Sequence, residues 1–228
     1  MSIVSVQSAA RYYDDGPVRV EALKGVDLRI EAGEFAALMG PSGSGKTTLL
    51  NLIGGLDTPT KGNVSVDGQD IGTMDRGARS DLRRDRIGFI FQSYNLVPVL
   101  TAQENTEFVM MLQGVPPKER AQRAKETLAS VGLAGMEHRR PSELSGGQQQ
   151  RVAVARAIAT RPAVVLADEP TANLDSETKA DLIALMRRLN EDQGVTFLFS
   201  THDPEVIAAA RRVIRLKDGQ IASDETRA

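Results

Sequence analysis

The chain has 228 residues, of which 41% are hydrophobic and 25% charged, a balance typical of a soluble globular protein. Lys and Arg number 28 against 30 Asp and Glu, and the resulting net charge of −2 argues against a general nucleic-acid binder. Cysteine is absent and histidine occurs at His138 and His202 alone, which excludes a disulfide framework, thiolate metal sites and a histidine metal cluster. No apolar run approaches the ~20 residues that span a bilayer, and the N-terminus does not resemble a secretory signal. We therefore expect any membrane attachment to come from a partner.

Short apolar runs alternate with helical segments, which is typical of an α/β fold. In chain order, we predict strands at Ile3–Val6, Val26–Ile30, Phe35–Met39, Val64–Val66, Ile87–Phe91, Val164–Asp168, Val195–Ser200, Arg212–Leu216 and Gln220–Ala222. The predicted helices are Thr47–Gly54, Asp75–Arg86, Thr101–Gln113, Pro117–Val131, Gln148–Ala159, Glu177–Asn190 and Pro204–Ala210. Residues 93–143 contain two amphipathic helices with no strand between them, which indicates a helical insertion. We predict a single domain over 1–228, with 1–92 and 144–228 as catalytic core and β-subdomain and 93–143 as a helical subdomain.

A glycine-rich segment after the strand Phe35–Met39 matches the GxxxxGK[ST] pattern of a phosphate-binding loop. Its residues are Gly40, Pro41, Ser42, Gly43, Ser44, Gly45, Lys46 and Thr47, and Thr48 follows in the helix. Glycines let several backbone N–H groups point at one anion, and the helix adds its positive N-terminal end. We expect Lys46 to lie between the β- and γ-phosphates of a nucleotide and the Thr47 hydroxyl to ligate Mg²⁺. The loop predicts nucleotide binding and does not identify the output.

Two carboxylates, Asp168 and Glu169, end an apolar run that is typical of a buried parallel strand. Open α/β sheets bind ligands at the carboxyl ends of their strands. We expect Asp168 to hold Mg²⁺ and Glu169 to polarise an attacking water as general base. Adjacent side chains of a strand point to opposite faces, so the two cannot share one role if the strand stays regular to its end.

A second glycine turn, LSGGQ, opens the helix that precedes the acidic strand. Ser145 is a good N-cap residue, and the following glycines leave N–H groups uncovered for an anion. A plain capping turn is the alternative interpretation. The residues concerned are Ser145, Gly146, Gly147 and Gln148.

GPSGSGKT, Gln92, LSGGQ, VVLADE and His202 occur in the order found in nucleotide-binding subunits of ATP-binding cassette (ABC) transporters. The chain resembles that family along essentially its whole length. The resemblance implies a P-loop NTPase fold of the ABC ATPase type, with an antiparallel β-subdomain and a helical insertion. It further implies ATP and Mg²⁺ as cofactors, and a homodimer in which each LSGGQ turn contacts the nucleotide held by the other subunit.

The resemblance also assigns roles to single residues. Gln92 would contact Mg²⁺ or the attacking water and couple the site to a permease. His202 would contact the γ-phosphate and orient Glu169, whereas His138 is expected at the surface. Asp175, in the segment ANLD, would communicate between the two nucleotide sites.

An aromatic residue of the family stacks on adenine, and Tyr13 resembles it. Tyr12 is the adjacent rival, and a surface tyrosine on a loop is the other alternative. Stacking requires only the face of the ring, so it fixes the base without strong selectivity.

GGLDTPTKG, FIFQSYNLVPVLTAQEN, ELSGGQQQRVAVARA and LADEPTANLD resemble the branch of macrolide-efflux (MacB-type) and lipoprotein-releasing (LolD-type) ATPases. This implies an integral-membrane permease of four helices (MacB-, LolC- or FtsX-like) and a peripheral location at the cytoplasmic face of the bacterial inner membrane. The implied function is ATP hydrolysis that powers efflux or lipoprotein release. FtsE-like force transmission without transport and a soluble cassette ATPase acting on DNA or ribosomes are the alternatives.

We expect the permease to dock in the region from Gln92 through the helical insertion, where several residues are too apolar for a solvated loop. Internal packing of these residues is the competing interpretation. They are Tyr94, Leu96, Val97, Pro98 and Leu100.

Overall fold

The computed structural model describes residues 2–15 and 18–227, whose strands form a four-stranded and a six-stranded sheet. The strands are β1 (Ser2–Asp15), β2 (Val18–Glu31), β3 (Phe35–Met39), β4 (Lys61–Val66), β5 (Gln69–Asp70), β6 (Ile87–Phe91), β7 (Val164–Asp168), β8 (Phe197–Ser200), β9 (Arg212–Lys217) and β10 (Gln220–Thr226). The helices are α1 (Lys46–Ile53), α2 (Arg76–Arg86), α3 (Ala102–Leu112), α4 (Pro117–Ser130), α5 (Gly146–Ile158), α6 (Ser176–Gln193) and α7 (Pro204–Ala209). Among these described helices, none has both the length and the apolar character that crossing a membrane requires.

The six-stranded sheet has the order β10-β9-β3-β8-β7-β6, and β10 alone runs antiparallel to its neighbour. Alternate residues of its strands enter two different hydrophobic clusters. In β7, Val165 and Ala167 pack with residues of α5 and α6, whereas Val164 and Leu166 pack with residues of α1 and the smaller sheet. Both faces of the sheet are therefore buried, which explains why its strands are continuous apolar runs.

The four-stranded sheet, of order β2-β1-β4-β5, is antiparallel. The predicted strands Ile3–Val6 and Val26–Ile30 were too short, because β1 and β2 each have 14 residues. Ser8, with φ of 46°, introduces a register shift between Val6 and Ala9, so the alternation of apolar residues is broken although the pairing continues.

The segment between β6 and α5 is helical, and α3 packs against both α4 and α5. Thr101 caps α3 through a reciprocal pair of hydrogen bonds with Glu104. Met110 is buried, but Met111 is 46% exposed, so only the first of these methionines belongs to the core. The helix α6 extends three residues beyond the predicted Asn190 and ends at Gly194, whose φ of 67° is left-handed.

Candidate functional site

One cavity of about 720 Å³ brings together the phosphate loop and the carboxyl ends of the central strands. Its lining residues are Val20, Glu21, Ala22, Gly40, Pro41, Ser42, Gly43, Gly45, Lys46, Thr47, Thr48, Gln92, Asp168, Glu169, Ser200 and His202. Segments that are far apart in the sequence meet here because β3, β7 and β8 are parallel neighbours and end at the same edge of the sheet.

The phosphate loop joins β3 to α1, which begins at Lys46. Gly45 precedes the helix with φ of 103°, a conformation that favours glycine. The Lys46 ammonium donates hydrogen bonds to the carbonyls of Gly40, at 2.7 Å, and Pro41, at 3.1 Å. Ser44 does not line the cavity, because its side chain is buried. The Ser44 hydroxyl has no hydrogen-bond partner within the described chain.

Asp168 and Glu169 both line the cavity although they are adjacent in the sequence. Glu169 has φ of 45°, so the chain leaves regular strand geometry directly after Asp168. The Glu169 carboxylate is held at both oxygens: Thr201 Oγ1 donates to Oε2 at 3.0 Å, and His202 Nδ1 lies 2.7 Å from Oε1. The geometry orients a proton acceptor towards the cavity.

The polar groups around Asp168 suit a divalent cation bound together with a polyphosphate. Burial raises the pKa of Asp168, and the neighbouring negative charge of Glu169 adds to this, while Lys46 opposes it. The Thr47 hydroxyl, the Gln92 amide and the Asp168 carboxylate supply oxygen ligands of the kind that Mg²⁺ prefers. Within residues 2–15 and 18–227, no group of three or more acidic or histidine side chains is arranged to hold a metal ion by itself.

The LSGGQ turn begins α5. As predicted, Ser145 is the N-cap, and its hydroxyl accepts a hydrogen bond from the Gln148 N–H at 3.2 Å. Gly147 packs against α6, where an added Cβ would lie 2.3 Å from Thr178 Cγ2. None of the four predicted residues of this turn lines the phosphate cavity, so a single chain does not combine the two.

Asp175 also lies outside the phosphate cavity, as the N-cap of α6. Hydrogen bonds from the Thr178 backbone and hydroxyl lower the pKa of Asp175. Two further contacts that the sequence did not indicate join this segment to the cavity. Asn173 Nδ2 donates to the Gln92 carbonyl at 3.0 Å, and Thr171 Oγ1 donates to Asp203, next to His202, at 2.9 Å.

Tyr12 and Tyr13 belong to β1, not to a loop, and neither lines the phosphate cavity. The Tyr13 hydroxyl donates to Asp57 Oδ2 at 2.9 Å, and the Arg11 guanidinium lies 4.6 Å from the centre of its ring. Tyr13 pairs across the strands with Val20, which does line the cavity. No motif in the sequence indicated this contact with Asp57.

A second cavity, the apolar groove, has a volume of about 400 Å³. Its lining residues are Leu56, Ser80, Arg83, Arg84, Ile87, Gly88, Phe89, Phe91, Asn95, Val97, Phe108, Val109, Leu112, Arg156, Ala157 and Thr160. Leu56, Phe108 and Leu112 are 52%, 38% and 54% exposed, an unusual degree for large apolar residues that lie together.

The loop that follows Gln92 contributes to one wall of this groove. Leu96 packs against the hydrophobic core, as the interpretation of internal packing expects, whereas Val97 lines the groove, where docking of a permease stays a prediction. Buried Asn105, which sequence analysis missed, fixes the loop: its Oδ1 accepts from the Val97 N–H at 2.8 Å and its Nδ2 donates to the Leu100 carbonyl at 3.1 Å.

Comparison with known proteins places the chain among transporter ATP-binding proteins. The family model described as ABC transporter matches residues 23–172. An uncharacterised ABC transporter ATP-binding protein of Thermotoga maritima is 49% identical over 95% of this chain and 92% of its own length. The lipoprotein-releasing system ATP-binding protein LolD of Anaeromyxobacter dehalogenans is 49% identical over 97% of this chain and 93% of its own.

The macrolide export ATP-binding/permease protein MacB of Marinobacter nauticus is 46% identical over 97% of this chain. The chain spans only 34% of that relative's length. A solved structure, a dimeric post-hydrolysis state of an ATP-binding cassette bound to ADP and phosphate, superposes with a TM-score of 0.88 at 44% identity and covers 98% of both chains.

Proposed function

The chain belongs to the ABC transporter family, and on that basis we propose that it is the ATP-hydrolysing subunit that powers a membrane permease in efflux or lipoprotein release. The observation that carries the proposal is the single cavity in which Lys46, Glu169 and His202 meet the phosphate loop. A lysine and backbone N–H groups for the phosphates, beside a positioned carboxylate, are the parts that phosphoryl transfer requires.

In the proposed reaction, the loop N–H groups and Lys46 bind the β- and γ-phosphates of ATP. Glu169 accepts a proton from the water that attacks the γ-phosphorus, while the bond from this phosphorus to the β–γ bridging oxygen breaks and ADP and phosphate are released. His202 and Thr201 keep the Glu169 carboxylate in position. Thr47, Gln92 and Asp168 would hold Mg²⁺. When bound, this ion neutralises charge on the phosphate oxygens.

We further propose that two copies of the chain close on two ATP molecules. Ser145, Gly146, Gly147 and Gln148 would then contact the nucleotide of the other copy through the N-terminus of α5. Their position outside the phosphate cavity of their own chain supports this, as does the dimeric state of the similar solved cassettes. Asp175 would act at the subunit interface. Tyr13 would stack on the adenine.

The apolar groove is the proposed docking site of the permease, with 93–143 as a helical subdomain that moves with it. Exposed Leu56, Phe108 and Leu112 favour a protein partner with an apolar segment. The MacB relative, by its name, joins ATP binding to a permease. We therefore place the subunit at the cytoplasmic face of the inner membrane.

Steady-state phosphate release from purified protein tests the proposal. Lys46→Ala should lose ATP hydrolysis, because the phosphates lose their only lysine in the cavity lining. Lys118→Ala, which removes an exposed lysine on α4, is the matched control and should retain it. Equal turnover in both variants would contradict the assignment.

Capture from detergent-solubilised membranes tests the docking site separately. Leu112→Glu places a charge among the exposed apolar residues and should abolish recovery of an integral-membrane permease. Its melting temperature should match that of the parent protein. Recovery of the same permease by the folded variant would refute the docking site and leave the ATPase assignment intact.

A further inference from the structure

The turn that follows Gln92 is held in an unfavourable backbone conformation. Tyr94 has φ of 59° and Asn95 has φ of 50°, so two consecutive non-glycine residues are left-handed. Asparagine tolerates this conformation better than most residues, but a bulky residue such as Tyr94 keeps it only where the surrounding structure imposes it. The contacts of residues 92–95, the Gln92 turn, should therefore include the groups that impose it.

Arg156 of α5 provides those contacts. Its Nη2 donates to the Tyr94 carbonyl at 2.8 Å, and its Nη1 donates to the Asn95 carbonyl. In the described part of the chain no carboxylate pairs with this guanidinium, and burial lowers the pKa of Arg156. The charge of this half-buried guanidinium is compensated by two carbonyl oxygens, so the hydrogen bonds to them are strong. The planar guanidinium can span both carbonyls.

The same helix contacts the turn a second time. The Tyr94 hydroxyl rests on the first turn of α5, where an added Cβ at Gly146 would lie 3.0 Å from it. The Gln92 carbonyl is fixed separately by Asn173. The Gln92 turn, the LSGGQ turn and the segment before α6 therefore form one connected unit.

This unit separates the two cavities. Asn95 and Arg156 line the apolar groove, whereas Gln92 lines the phosphate cavity. A displacement of Asn95 at the groove wall would therefore be transmitted to Gln92 through the three peptide units that join them. Arg156 is the side chain that touches both the groove and the carbonyls of the turn.

We propose that Arg156 is a positioning residue for ATP hydrolysis, which holds the left-handed turn so that Gln92 keeps its place in the phosphate cavity. The inference rests on the proposed ATPase function. Arg156 acts through the backbone of Tyr94 and Asn95 and itself stays outside the phosphate cavity. It should affect the catalytic rate more than the binding of ATP.

The test compares Arg156→Met and Arg156→Lys with Arg151→Met in steady-state ATP hydrolysis. Arg151, five residues earlier on α5, also donates to a backbone carbonyl, that of Val131 at 2.9 Å, and its ion pair is with Asp181 at 3.9 Å, so its contacts are not with the Gln92 turn. Loss of the clamp should lower kcat about tenfold and change KM for ATP by less than about twofold. The lysine variant should not restore kcat, because an ammonium lacks the fork that spans two carbonyls.

A second variant separates positioning from folding. Glycine adopts the left-handed backbone conformation more easily than asparagine. Combining Asn95→Gly with Arg156→Met should therefore recover part of the lost kcat. The inference is overturned if Arg156→Met and Arg151→Met have equal kcat, or if the glycine recovers nothing in folded protein. Lys46→Ala is assayed in parallel. If Lys46→Ala is inactive while Arg156→Met is fully active, only the inference about Arg156 fails. If both variants are active, the proposed ATPase function fails.

Discussion

Replacement of Glu169 by glutamine isolates proton acceptance from structure. The amide has the same shape as the carboxylate, so its oxygen can accept from Thr201 and its nitrogen can face His202. The fold and the phosphate loop should be retained, because no buried polar group loses its partner. Only the capacity to take a proton from water is lost, and removal of a general base lowers kcat by about 10²–10⁴-fold.

The assay is phosphate release at saturating ATP, together with ATP binding and the mass of the ATP-loaded protein. Glu169→Gln should retain ATP and accumulate as a dimer, because the proposed closure requires bound ATP and the variant does not hydrolyse it. Glu225→Gln, at an exposed position of β10, is the control and should behave as the parent protein. Normal turnover in Glu169→Gln would refute the general-base role, and loss of ATP binding would show that the carboxylate is structural.

Three further changes test other parts of the site. Gly147→Ala should cost about 1–3 kcal/mol in urea unfolding, because its Cβ would lie 2.3 Å from the Thr178 methyl group; an unchanged midpoint would contradict this packing. Asp168→Asn should raise the melting temperature of the nucleotide-free protein at pH 7. A raised pKa means that ionisation of Asp168 destabilises the fold, and this penalty is absent at low pH and complete above the raised pKa. The gain in melting temperature should therefore vanish on acidification. A gain that does not depend on pH would argue against this cause. Tyr13→Ala should weaken ATP binding by up to about tenfold, measured by titration, and a loss seen only with Tyr12→Ala would assign the stacking to that residue.

The central sheet was predictable because burial on both faces leaves a simple pattern. Phe35–Met39, Ile87–Phe91 and Val164–Asp168 have the predicted bounds, and each is a continuous or nearly continuous apolar run. The strand β1 was not predictable beyond Val6, since the bulge at Ser8 shifts the register and the polar residues of the outer face hide the pairing.

The candidate site was predictable where its residues form contiguous motifs. The phosphate loop and the acidic strand end are such motifs, and both line the cavity. The resemblance implied the proximity of His202 to Glu169. Contacts such as that of Asn173 with the Gln92 carbonyl join segments 81 residues apart and leave no local pattern from which they could be predicted.

The alternation rule for strands assumed that the strand stays regular to its end, and at Glu169 it does not. Regular geometry would direct Asp168 and Glu169 to opposite faces, yet the φ of 45° at Glu169 lets both reach one cavity, and the Glu169 N–H is held by the Ser200 carbonyl at 2.9 Å. Tyr94 and Asn95 are left-handed as well, in the turn that joins Gln92 of this cavity to the wall of the apolar groove. A non-glycine residue bears this conformation at a cost, so the φ of Glu169 indicates that the fold gives up local stability to direct this carboxylate into the cavity. A local rule is least reliable where several segments must converge on one substrate.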